Sequence, residues 1–417
     1  MPAARREISF YSMTGGMGGS EVYLKNLLLS FDYKNYKAAL ICSPDDPFFL
    51  QDDQLEPLIE RGDIAIKFFG TAKARGSEAA AAAHAAVPAE RKESLKQKIW
   101  RRIVPSSIKL LMGTLRDTQK LARYFKENPV NILHVNDAGA EPASIAARLA
   151  GVPHIVGTLH VLPYNKMQDW VSCLIEFFSI RSMDVAIAVS EATKKAWIQQ
   201  TGIAADRIKV VLNGMDLSAF TREYDVAAVR QELSIPAAAY VISVPARLHP
   251  LKGHQYLFEA VSQIRSELPQ IMVLIIGDGV LRESLQKKVE GLGIGPMVRF
   301  LGHRADIARI MAASDLIVLP SLSETLGLVL AEAQAAGKAV IATNIGGIPE
   351  VVENGVTGML IPPSDSPALA RAIVQLVQNP AQCQEMGKKG RERVDRVFPT
   401  QRMVAQTLEI YQGLLDQ

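Results

Sequence analysis

The chain has 417 residues, 48% of them apolar, more than one ordinary core accommodates and enough for two domains of common size. A net charge of +3 over that length creates no global basic field, so a nucleic-acid partner is not expected. Three widely spaced cysteines, Cys42, Cys173 and Cys383, show neither metal-ligand spacing nor a disulfide framework, which fits a reducing, cytoplasmic compartment.

Met1–Arg6 is short and basic, but no apolar run follows it, so a signal peptide is not expected. No apolar run approaches the roughly 18 residues of a membrane span, so any membrane contact would be peripheral, on the cytoplasmic face. Short β-rich runs then alternate with longer amphipathic stretches, which predicts βα units and parallel sheets. The predicted strands of the first half are Glu7–Met13, Lys37–Ile41, Ile64–Phe68, Ile132–Val135, His154–Thr158, Val185–Val189 and Lys209–Leu212. Those of the second half are Tyr240–Pro245, Met272–Ile276, Val298–Leu301, Leu316–Leu319, Ala339–Ala342 and Thr357–Ile361. Two doubly wound, Rossmann-like domains in tandem follow, with ligand crevices beyond the carboxyl ends of the strands. The Asn213-Gly214 turn divides them into residues 1–213 and 214–398, and residues 399–417 form a last helix that returns to brace the first domain.

The first βα turn, Thr14–Ser20, is glycine-rich around Gly16 and opens a helix from Glu21, a setting in which backbone can approach an anion. It also partly matches a dinucleotide fingerprint, with Glu21 in the third glycine's place and Asp45 after the second strand. Residues 71–107 break the βα pattern with an alanine-rich run and a basic cluster. Within about 91–104, Leu95, Ile99 and Ile103 recur at helical spacing beside Trp100, Arg91, Lys92, Lys96, Lys98, Arg101 and Arg102. As a helix this stretch would suit an anionic membrane surface; as a coil it would be a solvated insertion, and both readings stand. His134, Asn136, Asp137, His160 and Ser190 fall at or just beyond strand ends of the first domain, where an acceptor would sit. Ser190 is also placed to cap the helix that follows it.

In the second half, Arg247 and Lys252 follow the strand ending at Pro245, beside Gly253. Paired cations there suit a diphosphate, Arg by bidentate hydrogen bonds and Lys as a point charge. Asp278, Gly302 and His303 follow later strands, where a nucleobase would dock. Glu324 and Glu332 lie eight residues apart across a loop-to-helix junction that includes Thr325, Leu326, Gly327 and Leu328. At helical rise that interval is about 12 Å, roughly the reach from hexose to ribose in a nucleotide-diphospho-sugar, with free helix N–H groups between.

Together these pieces resemble the retaining glycosyltransferases of family 4, the glycosyl transferases group 1, which have the GT-B fold of two Rossmann-like domains facing across a cleft. The segments that carry the resemblance are Ala246–Gly253, Ser323–Ala333, Ala336–Thr343, Gly346–Glu350, Leu212–Asp216 and Val189–Glu191. It implies that Glu332 binds ribose hydroxyls and Glu324 the donor sugar, and that the Thr325–Leu328 backbone meets sugar or phosphate. It also implies that Arg247 and Lys252 neutralise the leaving diphosphate, that Gly16 lets the first domain close, and that His160 reaches the sugar. The chain departs from the family pattern at Leu326, usually Phe, and at Val161 after the histidine, often acidic.

The implied reaction moves a hexose-type sugar from a UDP-, GDP- or similar nucleotide-sugar to a saccharide or lipid-linked acceptor, in cell-surface polysaccharide or glycolipid assembly. It proceeds with retention, with no cofactor and no required metal. Two alternatives are an NAD-dependent oxidoreductase using the Gly16 turn and a non-catalytic saccharide-binding partner of the same fold.

Overall fold

The computed structural model describes residues 5–13, 19–44, 46–50, 52–69, 106–138, 142–163 and 170–416. The Gly16 turn, Asp45 and the insertion up to residue 105 lie outside the described residues. Two compact units emerge: residues 1–188, 194–210 and 406–417 form the first, and 189–193 with 211–405 the second.

In the first unit the strands are β1 (Arg6–Tyr11), β2 (Tyr36–Cys42), β3 (Ile64–Phe68), β4 (Ile132–Val135), β5 (His154–Leu159), β6 (Val185–Ala188) and β7 (Ile208–Val210). Between them run α1 (Gly19–Leu29), α2 (Pro47–Leu50), α3 (Glu56–Glu60), α4 (Ser106–Glu127), α5 (Ala143–Ala150), α6 (Trp170–Ser182) and α7 (Glu191–Thr201), whose residues 191–193 belong to the second unit. All pairings are parallel, in the order β3-β2-β1-β4-β5-β6-β7. Strands of such a sheet are covered on both faces and read as continuous apolar runs, as in the fully buried Ile132–Val135. The chain moves one way across the sheet from β1 to β3 and the other way from β4 to β7, so right-handed crossovers put α4, α5 and α6 together on one face. Leu121, Phe125, Leu133, Ala146, Ile155, Ile180 and Trp197 belong to the core on that side.

The second unit contains β8 (Tyr240–Pro245), β9 (Ile271–Ile276), β10 (Val298–Gly302), β11 (Leu316–Leu319), β12 (Ala339–Thr343) and β13 (Gly358–Ile361), in the order β10-β9-β8-β11-β12-β13 and again all parallel. Its helices are α8 (Val226–Glu232), α9 (His254–Ile264), α10 (Arg282–Gly291), α11 (Ile307–Ala313), α12 (Leu328–Ala335), α13 (Ile348–Val351), α14 (Ser366–Gln378) and α15 (Pro380–Val397). The final helix, α16 (Thr400–Leu415), starts in the second unit and ends in the first. There the Tyr411 hydroxyl hydrogen-bonds the buried His134 ring, whose Nε2 lies 2.7 Å from Thr158 Oγ1.

Each sheet reverses its strand order once, between β1 and β4 and between β8 and β11. The loops at the carboxyl ends of such a neighbouring pair diverge to opposite faces and open a crevice. In the second unit those two loops carry Arg247 with Lys252 and Glu324.

Candidate active site

The loop after β8 turns through a short 3-10 segment, Pro250–Lys252, capped by His249 and ended by Gly253 at φ +64°. A Cβ on Gly253 would lie 1.9 Å from Pro320 O, so only glycine lets this loop pack on the one after β11. Leu322 N donates to Leu251 O at 2.7 Å and fastens the two loops. That seam places Lys252 Nζ 2.5 Å from Glu324 Oε1, with the side chains only 22% and 11% exposed. Ser321 Oγ donates to the same carboxylate oxygen at 2.8 Å, which leaves Oε2 without a partner among the described residues. Arg247, in the loop after β8, is exposed, and its guanidinium has no partner among the described residues. A fixed cation, a free cation and a carboxylate with one open oxygen thus stand on the two loops of the switch point. This is charge suited to an anion bearing hydroxyl groups.

Gly327, at φ +82°, ends the β11 loop and begins α12 with no side-chain cap, so the first N–H groups of the helix lack a side-chain acceptor. Glu332 sits in the second turn. Burial pushes its carboxyl up to about 7, and no donor among the described residues reaches it. One expectation needs correcting: Glu324 precedes α12, so half of the Glu324–Glu332 interval is loop and helical rise does not set their separation.

Other predicted residues have different surroundings. Asp278 accepts from Gly279 N at 2.7 Å and pairs with Arg282 at 2.9 Å, which makes it a turn and helix-start group rather than an open nucleobase ligand. Gly302, at φ +69°, accepts from Gly277 N at 2.8 Å, and His303 next to it is exposed. Leu326 is 1% exposed and packs in the core behind the loop, while Thr325 and Leu328 flank it half-buried.

In the first unit, Asn136 lies just past β4 at the other switch point. Its Nδ2 donates to Ser20 O at 3.0 Å and its Oδ1 lies 3.1 Å from His160 Nε2. The Tyr23 ring meets the His160 ring edge-on at 4.8 Å. Burial, reinforced by the neighbouring His134, pulls His160 down to about 3, so it is a neutral imidazole holding its proton on Nε2 toward Asn136. Asp137 follows at φ +60° with a buried, unpaired Oδ1; burial and then Glu21 raise its carboxyl to about 6.

The sequence matches the family model described as Glycosyl transferases group 1 over residues 225–393 and that of Glycosyltransferase Family 4 over residues 17–219. It is 31% identical over 301 residues to N-acetyl-alpha-D-glucosaminyl L-malate synthase of Bacillus anthracis, an alignment covering 71% of this chain and 78% of that one. The chain belongs to the glycosyl transferases group 1 family. It is also 28% identical over 310 residues to the Escherichia coli UDP-Gal:alpha-D-GlcNAc-diphosphoundecaprenol alpha-1,3-galactosyltransferase, covering 72% of this chain and 80% of that one. Among solved structures, Anabaena HepE in complex with UDP and glucose superposes with a TM-score of 0.75 at 25% identity, covering 98% of this chain and 100% of that one. The fold is therefore GT-B, and the oxidoreductase alternative falls.

The contacts of two groups around this glycosyltransferase site were not anticipated from sequence. Ser190, which belongs to the second unit, donates to Thr325 O at 2.6 Å while accepting from Thr193 N at 3.0 Å. It is a helix cap, as its position suggested, but it also holds the carbonyl of the residue after Glu324. Glu350 accepts from Glu191 N at 2.9 Å and Ala192 N at 3.0 Å, stabilised by the positive end of α7. The run Gly346–Glu350 was the visible signal. A Cβ on Gly346 would lie 1.9 Å from Glu324 O, so that glycine makes room for the Glu324 backbone.

Proposed function

We propose that this glycosyltransferase moves a hexose-type sugar from a nucleotide-diphospho-sugar, UDP-linked by analogy with the nucleotide bound to HepE, to a saccharide or lipid-linked acceptor, with retention at the anomeric carbon. The observation that carries the reading is the Lys252–Glu324 pair beside the unpartnered Arg247 at the switch point of the second sheet. Arg247 and Lys252 meet the diphosphate, and the first N–H groups of α12 add to the same field. The open Oε2 of Glu324 takes a sugar hydroxyl, and the desolvated carboxylate of Glu332 takes the ribose diol.

As the bond from C1 to the diphosphate oxygen breaks, negative charge grows on the leaving group where these cations already stand. The acceptor oxygen bonds to C1 on the same face, and its proton passes to the departing phosphate oxygen. No carboxylate nucleophile is invoked. His160, neutral and fixed by Asn136, has an Nδ1 with no partner among the described residues, able to accept from a ligand hydroxyl. The positive charge comes from Arg247 and Lys252, so the reaction needs no metal in this reading. Acceptors of the lipid-linked kind named for the Escherichia coli relative fit a role in surface polysaccharide assembly.

Turnover with a panel of nucleotide-sugars and a soluble acceptor, followed by NMR of the product's anomeric proton, tests this. Retention and an unchanged rate in EDTA are expected. An inverted product, or loss of activity in EDTA, would refute the corresponding step.

A further inference from the structure

Helix α6 is apolar on both sides. Val171, Ile175 and Ile180 are buried, yet another arc of the helix, Trp170, Leu174 and Phe178, is 57%, 39% and 50% exposed. Those three residues and Arg181 fall within an arc of about 80° on the helix. A helix with apolar residues all round is normally covered on all sides, and among the described residues nothing covers this outer face. Helix α4, in the same layer, repeats the feature. Ile108, Met112 and Leu115 are 43%, 53% and 55% exposed and share an arc of about 60°. The adjoining arc, of similar width, holds Arg116, Lys120 and Arg123, with Glu127 at the last position of the helix, all exposed.

The topology sets where these faces lie. Short links join the end of α4 to β4 and the end of α6 to β6, so both helices run antiparallel to the strands. Their N-terminal halves, which carry Ile108–Leu115 and Trp170–Leu174, therefore lie toward the carboxyl edge of the first sheet. That is the edge holding Asn136 and His160.

We propose that the outer faces of α4 and α6 form a docking surface for an anionic lipid bilayer. Aromatic and aliphatic side chains bordered by a basic strip are the chemistry of an interfacial helix, which buries its apolar face among acyl chains and sets its cations at the headgroups. The layer of α4, α5 and α6 carries seven basic and three acidic residues, one of the acids being the buried Glu176. A second copy seated on this face by two-fold symmetry would oppose like charges, whereas anionic headgroups complement them. None of the donor residues belongs to this surface.

Cosedimentation of the full chain with phosphatidylcholine–phosphatidylglycerol vesicles and with pure phosphatidylcholine vesicles tests the proposal. The chain should bind the anionic vesicles several-fold better, and Trp170→Ser with Phe178→Ser should reduce that binding at least about tenfold. Both positions face solvent, so thermal stability and turnover on a soluble acceptor should stay unchanged. That readout separates failure of docking from failure of the transferase reading. Deleting residues 73–102 should leave vesicle binding in place. The proposal is overturned if the full chain does not sediment, if the double variant still does, or if only the deletion abolishes binding. It is equally overturned if the chain is a dimer in solution that the double variant dissolves.

Discussion

A carboxyl group on a half-buried side chain with no donor among the described residues resists ionising, and burial pushes Glu332 up to about 7. To accept hydrogen bonds from both ribose hydroxyls it must be ionised, so nucleotide affinity should fall as pH drops through about 7. Glu332→Gln should weaken binding about tenfold at pH 8 and flatten the pH dependence, because the amide cannot titrate. Calorimetric titrations at pH 6 and 8 on both proteins check this; an unchanged profile in the variant would assign the dependence elsewhere. Arg247→Ala or Lys252→Ala should each lower turnover about 10²–10³-fold, the usual cost of one group stabilising a leaving charge. Lys252→Ala should also cost stability, since Glu324 would keep only Ser321 as a partner. These residue types were legible in the sequence because chemistry constrains them: cations after a strand, carboxylates flanking a helix start. The ruler applied to Glu324 and Glu332 was not, because helical spacing says nothing about a loop whose path is set by Gly253, Gly346 and Ser190.

At the scale of elements, the strands were readable because a parallel strand buried on both faces has to be apolar throughout. Ile64–Phe68, Ile132–Val135, Tyr240–Pro245 and Leu316–Leu319 fall where the pattern put them. Strand order was not readable, since no local signal in β8 or β11 says that they pair. Yet that pairing creates the crevice and joins Lys252 to Glu324 across 72 residues. The seam between loops is therefore the sensitive element. Gly346→Ala requires the Glu324 carbonyl to move and puts a side chain at φ +49°. It should destabilise the chain by about 1–3 kcal/mol and lower turnover more than it changes acceptor binding. Denaturant midpoints with turnover in parallel decide it; normal values for both would show the loops to be independent. A return of the last helix to the first domain was expected from the sequence, but the residues it meets were not, because His134 and Tyr36 lie 277 and 376 residues before their partners in α16.

For the molecule as a whole, buried titratable groups set the response to pH. Burial holds His134 at about 3, His160 at about 3 and His254 at about 4, all below the unfolded value near 6.5. Between those values the unfolded chain binds more protons, so the three contribute fully above pH 6.5 and lose that contribution as pH falls toward 4. Glu332 has the opposite sign: its raised value favours the folded state at low pH and loses that contribution as pH rises from about 4.5 to 7. Asp137, raised to about 6, has the same sign as Glu332, so three histidines stand against two carboxyls. The chain should be less stable at pH 5 than at pH 7.5, read as a lower urea midpoint, and a higher midpoint would mean that the carboxyls dominate.

Equilibrium titration of UDP-glucose into the full chain and into the Arg247→Ala, Lys252→Ala double variant bears most directly on how the second unit is used. One donor should bind per chain, and the double variant, folded with an unchanged helix content, should show no measurable binding. Equal affinity in both proteins would contradict the assignment of the switch-point loops as the donor site.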